Sequence, residues 1–388
     1  HIAHFYALAA PDFVCGPAAP AAERNVLGVV ARVGLDLGGA VLKARSQAQK
    51  IQAMIGGKAT HPVMGVPGGV SKAVSREEQK VMQEYADNLV EFAKTTMTVF
   101  KDVVLKNEEY VKIITNPDIF YNETYHMGMV NDKNQLEFHD GPIRVVDGDR
   151  KEVDKYDAND YLDHIGEAVE PWSYEKFPYL KNPGYKGLTP GMDSGMYRAT
   201  PLSRLNTSDS ISTPLAQAEL EEYRALFKSL GVEGSVQFTL ATHYARVIEL
   251  LFAAEKLHQD VYSDTLCDAN IKQTDLVPGG RGVGCVEAPR GTLTHDYTCD
   301  EDGIVTACNL VVGTTNNNGP INMDVRRAAS GLIHNFEVSP GLLNMVEMAF
   351  RAYDPCNSCA THSLPGQMPL EATIRYADGE IFETLRQN

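Results

Sequence analysis

The chain has 388 residues, a formal net charge of −16 and 43% hydrophobic residues. That balance supports a large buried core and excludes a nucleic-acid or anionic-membrane surface, because nothing basic is clustered; no apolar run approaches the roughly 20 residues that span a bilayer, so no membrane span is expected. The seven cysteines (Cys15, Cys267, Cys285, Cys299, Cys308, Cys356 and Cys359) are too scattered for a disulfide framework and too few to ligate an iron–sulfur cluster beyond the terminal pair, so a reducing cytoplasm is the expected setting and any redox chemistry must send its electrons out through another subunit.

Residues 1–14 are apolar with helical periodicity, which Pro11 should end; Asp12 follows in an apolar setting and reads as a polar helix-end residue. Val26, Leu27, Val30, Val33 and Leu37 form a stripe that predicts one helix over 24–56. The glycine- and proline-dense run 56–69 predicts tight turns. It lacks the Gly-Lys-Ser/Thr ending of a phosphate cradle, and His61 within it reads as structural rather than as a ligand. Ser75-Arg76-Glu77-Glu78 is a capping box that opens a long helix to about Leu105, with Val81, Tyr85, Leu89, Phe92, Val99 and Val103 on its apolar face.

Residues 110–188 are rich in Tyr, Asp, Asn and Gly, and 111–114 and 143–146 read as strands. The acidic residues Asp147, Asp149, Asp154, Asp157 and Asp160 fit no calcium-loop spacing and read as a solvated face. Helices are predicted from Pro214 to about Leu230, closed by Gly231, and from about Gln237 to Leu257. Strands follow over 303–313. Ser339-Pro340 should cap a last helix with Leu342, Leu343, Val346, Ala349, Phe350 and Tyr353 facing the core, and Asp378-Gly379 marks a hairpin. The fold class expected is α+β, mainly helical, with a β-rich excursion around 110–188 and small strands around 303–313.

Two strings carry chemistry. In Asp354-Pro355-Cys356-Asn357-Ser358-Cys359-Ala360-Thr361-His362, two cysteines three apart can hold one soft metal as thiolates, and the histidine can ligate a second ion. Pro355 has no N–H and disfavours the α region at Asp354, so a helix must stop there. Spacing alone leaves a small redox site or a zinc half-site equally open, since no second C-x-x-C accompanies it. In Glu287-Ala288-Pro289-Arg290-Gly291, a guanidinium sits between proline and glycine on a stiff backbone; its plain role is a structural ion pair, with Glu287 as one partner.

Taken together these strings resemble the large, catalytic subunit of nickel–iron hydrogenases. The terminal string matches that family's Asp-Pro-Cys-x-x-Cys-x-x-His. Further matches are His4-Phe5-Tyr6 with Asp12-Phe13-Val14, the His-Pro-x-x-x-x-Pro-Gly-Gly of 61–69, and Pro201-Leu202-Ser203-Arg204-Leu205-Asn206 after a threonine in place of glycine. Glu-Ala-Pro-Arg-Gly and Val311-Val312-Gly313-Thr314-Thr315, with Gly313 where the family often has proline, complete the set. The resemblance implies a Ni–Fe centre with CO and cyanide ligands. Cys356 would be a terminal nickel ligand and Cys359 would bridge nickel and iron. Arg290, held by Asp354 and Asp12, would stand over the open coordination position. Pro289 would shape the pocket, Gly313 and Thr314 would bind a cyanide, and His362 would ligate a separate structural Mg2+ or Fe2+.

The partners implied are an iron–sulfur small subunit, an electron-transfer subunit with heterodisulfide reductase, and a maturation endopeptidase. The wording around Asp12 and Cys356 most resembles the F420-non-reducing, heterodisulfide-reductase-linked group, with NAD- or F420-linked enzymes as the neighbouring alternative. The family's other cysteine pair, in Arg-x-Cys-Gly-x-Cys, lies upstream of the His1 position, so a preceding segment of roughly 80–100 residues is expected. Residues 1–362 are expected to form the hydrogenase domain and 363–388 an extension removed on maturation. An inactive scaffold akin to the quinone-pocket subunit of respiratory complex I, or a single-metal assembly or sensor paralogue, is the competing reading. Retention of Cys356, Cys359, Arg290 and Asp354 together favours the enzyme.

Overall fold

A computed structural model describes residues 1–335, 337–356 and 370–387. They fall into two compact units, His1–Asp354 and Pro355–Asn388; the boundary expected at 362/363 lies outside the described residues. In the first unit, α1 (Ile2–His4) runs straight into two π-helical turns, Phe5–Ala9 and Pro11–Cys15. Pro11 therefore does not end the helix. It occupies the first position of the second π turn, where no N–H is required, and the wide turn relieves the clash of its ring. The helix expected over 24–56 is two: α2 (Val26–Val33), capped by Asn25, and α3 (Leu35–Gly56), parted at Gly34 with φ 93°. Val29 is the buried residue of α2, whereas Leu27 of the predicted stripe is 80% exposed.

A minimal hairpin, β1 (Gly65–Val66) and β2 (Gly69–Val70), fills the glycine-rich run, and His61 beside it is exposed. The capping box forms as expected, with Ser75 and Glu78 each bonding the other's backbone N–H, and opens α4 (Arg76–Phe100), which a π turn extends to Leu105. Leu89 and Phe92 of the predicted face are buried, together with Met82, Ala86, Ala93, Met97 and Phe100 beside them, whereas Val81 is exposed. Residues 111–114, read as a strand, belong to helix α5 (Glu108–Ile114). Asn107 caps it, and two glutamates in its first turn complement the helix dipole, which outweighs the weak β preference of Val and Ile.

The β-rich excursion holds β3 (Tyr125–Met129), β4 (Ile143–Val146), β5 (Glu152–Tyr156), the single turn α6 (Tyr161–His164), and the antiparallel pair β6 (Ile165–Val169) and β7 (Lys176–Leu180). With β8 (Tyr197–Arg198) the first three make a four-stranded sheet in the order β5-β4-β3-β8, in which only β3 and β8 run parallel. Every residue of β3 and β4 is buried. Thr200 caps α7 (Pro201–Thr207), and α8 (Pro214–Ser229) follows. A 3-10 turn at Thr239–Ala241 delays α9 (Thr242–Val261) past its predicted start; α9 is buried on almost every face.

The next three strands, β9 (Gly280–Ala288), β10 (Gly291–Cys299) and β11 (Val305–Val311), form an antiparallel sheet with β10 in the middle. Helix α10 (Asn318–Leu332) was not legible, because Gly319-Pro320 in its first turn reads as a loop. Ser339 caps α11 (Pro340–Arg351) as expected; Ala349 and Tyr353 of the predicted face are buried, together with Asn344 and Met348, whereas Leu342 and Leu343 are only half-buried. In the second unit β12 (Leu370–Arg375) and β13 (Ile381–Gln387) pair around Gly379, the predicted hairpin. Among the described residues no helix is long and apolar enough to cross a membrane.

Candidate active site

Ala288 pairs with Gly291 across β9 and β10, which leaves Pro289-Arg290 as a two-residue loop at the tip of the hairpin. Gly291 has φ 150°, and a Cβ there would lie 2.3 Å from the Ala199 carbonyl oxygen and 2.8 Å from that of Gly313. Only glycine lets the loop sit so close. Gly313 packs against it in return: its own Cβ would stand 3.2 Å from the Gly291 nitrogen and 3.3 Å from the Arg290 carbonyl carbon. Asn317 fastens the three segments, its Nδ2 donating to the carbonyls of Arg290 and Ala199 at 3.1 Å and of Gly313 at 2.9 Å.

From this loop Arg290 donates through Nε to the Asp354 carbonyl oxygen at 2.6 Å, and through Nη2 to Asp354 Oδ1 at 3.3 Å. Asp354 is buried, with φ 55°, a left-handed conformation that aspartate tolerates better than most residues. Each residue of the turn leading to it is held from outside. His4 Nε2 donates to Arg351 O at 2.8 Å, Arg246 Nη2 to Ala352 O at 3.0 Å, and the Tyr353 hydroxyl to Asp324 Oδ2 at 2.5 Å. Arg246 also donates to Pro289 O at 2.9 Å and lies 4.0 Å from Asp354 Oδ2, so one buried guanidinium ties the hairpin tip to the turn. Burial lowers the Arg246 pKa to about 10, against the opposing pull of Asp354 and Glu249, and the group remains a cation at neutral pH.

Two expectations about pairing are corrected. Asp12 does not hold Arg290; its carboxylate accepts from Arg351 Nε at 3.2 Å and Nη2 at 3.3 Å and from Asn344 Nδ2 at 2.9 Å. The π turns set Asp12 against the inner face of α11, where Arg351 is nearer than the hairpin tip. Glu287 does not pair with Arg290 either. It accepts from Arg204 Nη1 at 2.8 Å, the Met129 N–H at 2.8 Å and the Thr292 hydroxyl at 3.0 Å. Arg204 in turn forks onto Glu249 at 2.6 and 2.7 Å. Burial acts to lower its pKa, but the two carboxylates outweigh that and raise it. A cleft of about 440 Å³ opens beside this network, lined by Arg45, Gln52, Arg204, Glu287 and Pro289 among others.

Pro289, Arg290, Gly313 and Asp354 thus come together as expected, with Thr314 next in the chain to Gly313. Cys356 is half-buried in the second unit, and Cys359 and His362 lie outside the described residues. Sequence reasoning overlooked Arg246, Arg204, Glu249 and Arg351. The signal that pointed nearest to them was the Pro-Leu-x-Arg-Leu-Asn string containing Arg204. Soft thiolates suit nickel and iron, but two of them do not complete a metal's coordination, and among the described residues no three His, Cys, Asp or Glu side chains converge where a metal could sit. What the described residues fit is the surroundings of such a centre: a fixed cation with 37% of its side chain exposed, a carboxylate behind it and close-packed backbone.

Residues 40–362 match the nickel-dependent hydrogenase family. The iron–sulfur subunit of an F420-non-reducing hydrogenase from Archaeoglobus profundus is 41% identical over 387 residues, covering 100% of this chain and 78% of that protein. The NAD-reducing hydrogenase HoxS subunit beta of Cupriavidus necator is 37% identical, over 99% of this chain and 77% of that protein. Among solved structures, an NAD+-reducing nickel–iron hydrogenase in its H2-reduced state superposes with a TM-score of 0.83 at 34% identity, covering 93% of this chain and 76% of that one. The chain belongs to the nickel-dependent hydrogenases, as a large, catalytic subunit.

Proposed function

We propose that this subunit catalyses the reversible heterolytic cleavage of H2 into protons and electrons, with Cys356 and Cys359 as thiolate ligands of a Ni–Fe centre whose iron carries CO and cyanide. Such a centre, when bound, supplies the electron-rich metals that polarise dihydrogen. The chain's own residues do the rest. Arg290 presents a planar, permanently charged set of donors whose direction is fixed by its two bonds to Asp354 and by the rigid hairpin tip. Arg246 holds that tip and the Asp354 turn at a constant spacing. Pro289 shapes the pocket, and Gly313 and Thr314 offer an N–H and a hydroxyl to a cyanide. Asp12 acts at one remove, by anchoring Arg351 beside the turn. His362 holds a structural Mg2+ or Fe2+. Electrons pass to an iron–sulfur small subunit. In the reading favoured by the F420-non-reducing relatives, they go on through an electron-transfer protein to heterodisulfide reductase in the cytoplasm.

The observation that carries this reading is the Arg290–Asp354 pair at the tip of a hairpin pinned by Gly291, Gly313 and Asn317. The matured protein should contain nickel and iron and show infrared bands of metal-bound CO and cyanide; zinc alone, without those bands, would overturn it. Residues 363–388 form the extension that a maturation endopeptidase removes. Intact-mass measurement of active enzyme should then find the chain ending at His362, and full activity with Ser363–Asn388 retained would refute the processing step.

A further inference from the structure

Arg150 and Arg224 meet at the C-terminal end of α7 from separate parts of the fold. Arg150 donates through Nε to Asn206 O at 3.2 Å and through Nη2 to Ser208 O at 3.0 Å. Arg224, on α8, donates through Nη2 to the same Ser208 oxygen at 2.6 Å and through Nη1 to Asp209 O at 2.7 Å. Open carbonyls at a helix end attract a cation, which explains one arginine but not two sharing a carbonyl. The nearest carboxylate, Asp209, is already engaged by Arg144 Nη1 at 2.9 Å and Asn134 Nδ2 at 3.1 Å. Burial, and then the neighbouring Arg150, lower the Arg224 pKa to about 10.

These side chains line a cleft of about 200 Å³ together with Tyr223, Lys228 and Glu233. Tyr223 is only 2% exposed, and its hydroxyl has no hydrogen-bond partner among the described residues, which is rare for a buried hydroxyl. The same two guanidiniums act electrostatically on that phenol. Three donors of residues that line the cleft also carry no partner among the described residues: Arg150 Nη1, Arg224 Nε and Lys228 Nζ.

We propose that this cleft is an oxyanion site that takes a phosphate group, held by Arg150, Arg224 and Lys228 and by a hydrogen bond from the Tyr223 hydroxyl. A phosphate dianion would neutralise two guanidiniums that now repel each other, and its tetrahedral oxygens accept from the forked and single donors alike. The opposing charges are Glu233 on the exposed rim, Glu221 near Arg224, and Asp209, which acts on both arginines but is itself engaged by Arg144 and Asn134. The volume equals that of six or seven waters at roughly 30 Å³ each, enough for a phosphate and its first waters but not for a nucleotide. The site shares no lining residue with the Arg290 hairpin and does not depend on the reading of that hairpin.

Calorimetric titration of inorganic phosphate into the holoenzyme complex, against chloride at matched ionic strength, should show saturable binding at one site per large subunit. Tyr223→Phe and Lys228→Gln remove atoms that bond nothing in the protein, so both variants should melt as the wild type does without phosphate. Each should weaken phosphate binding on the order of tenfold. Glycerol phosphate titrated in parallel separates the sources: equal binding identifies the phosphoryl end of a larger molecule, and binding of inorganic phosphate alone identifies the free ion, either of which supports the site. No saturable phosphate binding, or wild-type affinity in both variants, would overturn it.

Discussion

At the residue scale the decisive contrast is between three arginines of one neighbourhood. Arg204 and Arg246 are 1% exposed and spend their donors on carboxylates and backbone, whereas Arg290 keeps a third of its side chain open, at 37%. A group held at one edge and exposed at the other can act on a substrate; one sealed inside the fold can only hold structure. Arg290→Lys retains the charge but loses both the Nε bond to the Asp354 carbonyl and the planar fork. The expected outcome is unchanged metal content and unchanged infrared bands, with H2 oxidation down by on the order of 10² or more, as for loss of a preorganised catalytic group. Wild-type turnover in that variant would make Arg290 structural, and loss of the metals would make its role one of assembly. Arg290 and Asp354 were legible because proline and glycine flank them, and such neighbours mark a stiff backbone. The partner of Asp12 was not. Arg351 reads in sequence as an ordinary cation in the last turn of a helix, and nothing local reveals that a π-helical stretch more than 300 positions earlier brings a carboxylate against it.

At the scale of elements, the catalytic hairpin owes its position to contacts that a sequence pattern does not encode. The alternation expected of a strand is blurred in β9 by Gly280, Gly282 and Gly284, so the long β9–β10 hairpin was visible only as its tip motif. The capping box of α4 and the N-cap of α11 were readable, since each is a local exchange between residues three apart. The existence of α10 was not, because Gly319-Pro320 in its first turn reads as a loop; the break at Gly34 and the helical state of α5 turn on local signals, a glycine at φ 93° and an Asn107 cap with two glutamates, that the β-prone and apolar patterns hide. Asn317 shows the difference most clearly. In sequence it is one of three consecutive asparagines; in the fold its Nδ2 serves three carbonyls, and its Oδ1 accepts the Ala199 N–H at 2.9 Å. Asn317→Ala would strand those buried groups, at about 1–3 kcal/mol for each one left unpaired. A loss of about 4 kcal/mol or more is expected in thermal or urea unfolding, with Asn318→Ala as the matched control. If the Asn317 variant unfolds with wild-type stability, other donors satisfy the loop and Asn317 is not what fixes it.

At the scale of the whole molecule, the first unit seals three histidines into its core, and this sets how the protein responds to acid. His4, His126 and His243 are each at most 3% exposed. His126 bonds Ser203 and Gln237 at 3.1 Å, and His4 stacks on His243 with centroids 5.7 Å apart. Burial lowers the pKa of all three, reinforced by Arg198 at His126 and by Arg246 at His4 and His243; for His243, where Arg351 adds to the effect, the value falls to about 3. A histidine depressed in the folded state contributes stability that is present above its unfolded pKa and is lost as pH falls. Below about 6.5 the unfolded chain takes up a proton that the folded one refuses. Each such site costs about 1.4 kcal/mol per pH unit, and for His243 the loss continues down to about pH 3. Most carboxylates titrate below about pH 5, so the histidines dominate the interval from about 6.5 to 5, and comparison with the variant separates His243 from carboxyls that burial raises, such as Asp12 and Glu287. Urea unfolding across that interval should show stability falling steeply, and His243→Gln, which cannot take up the proton in either state, should flatten the slope by about 1.4 kcal/mol per unit. An unaltered slope in the variant would mean that His243 is protonated inside the fold despite its burial and the nearby charges of Arg246 and Arg351.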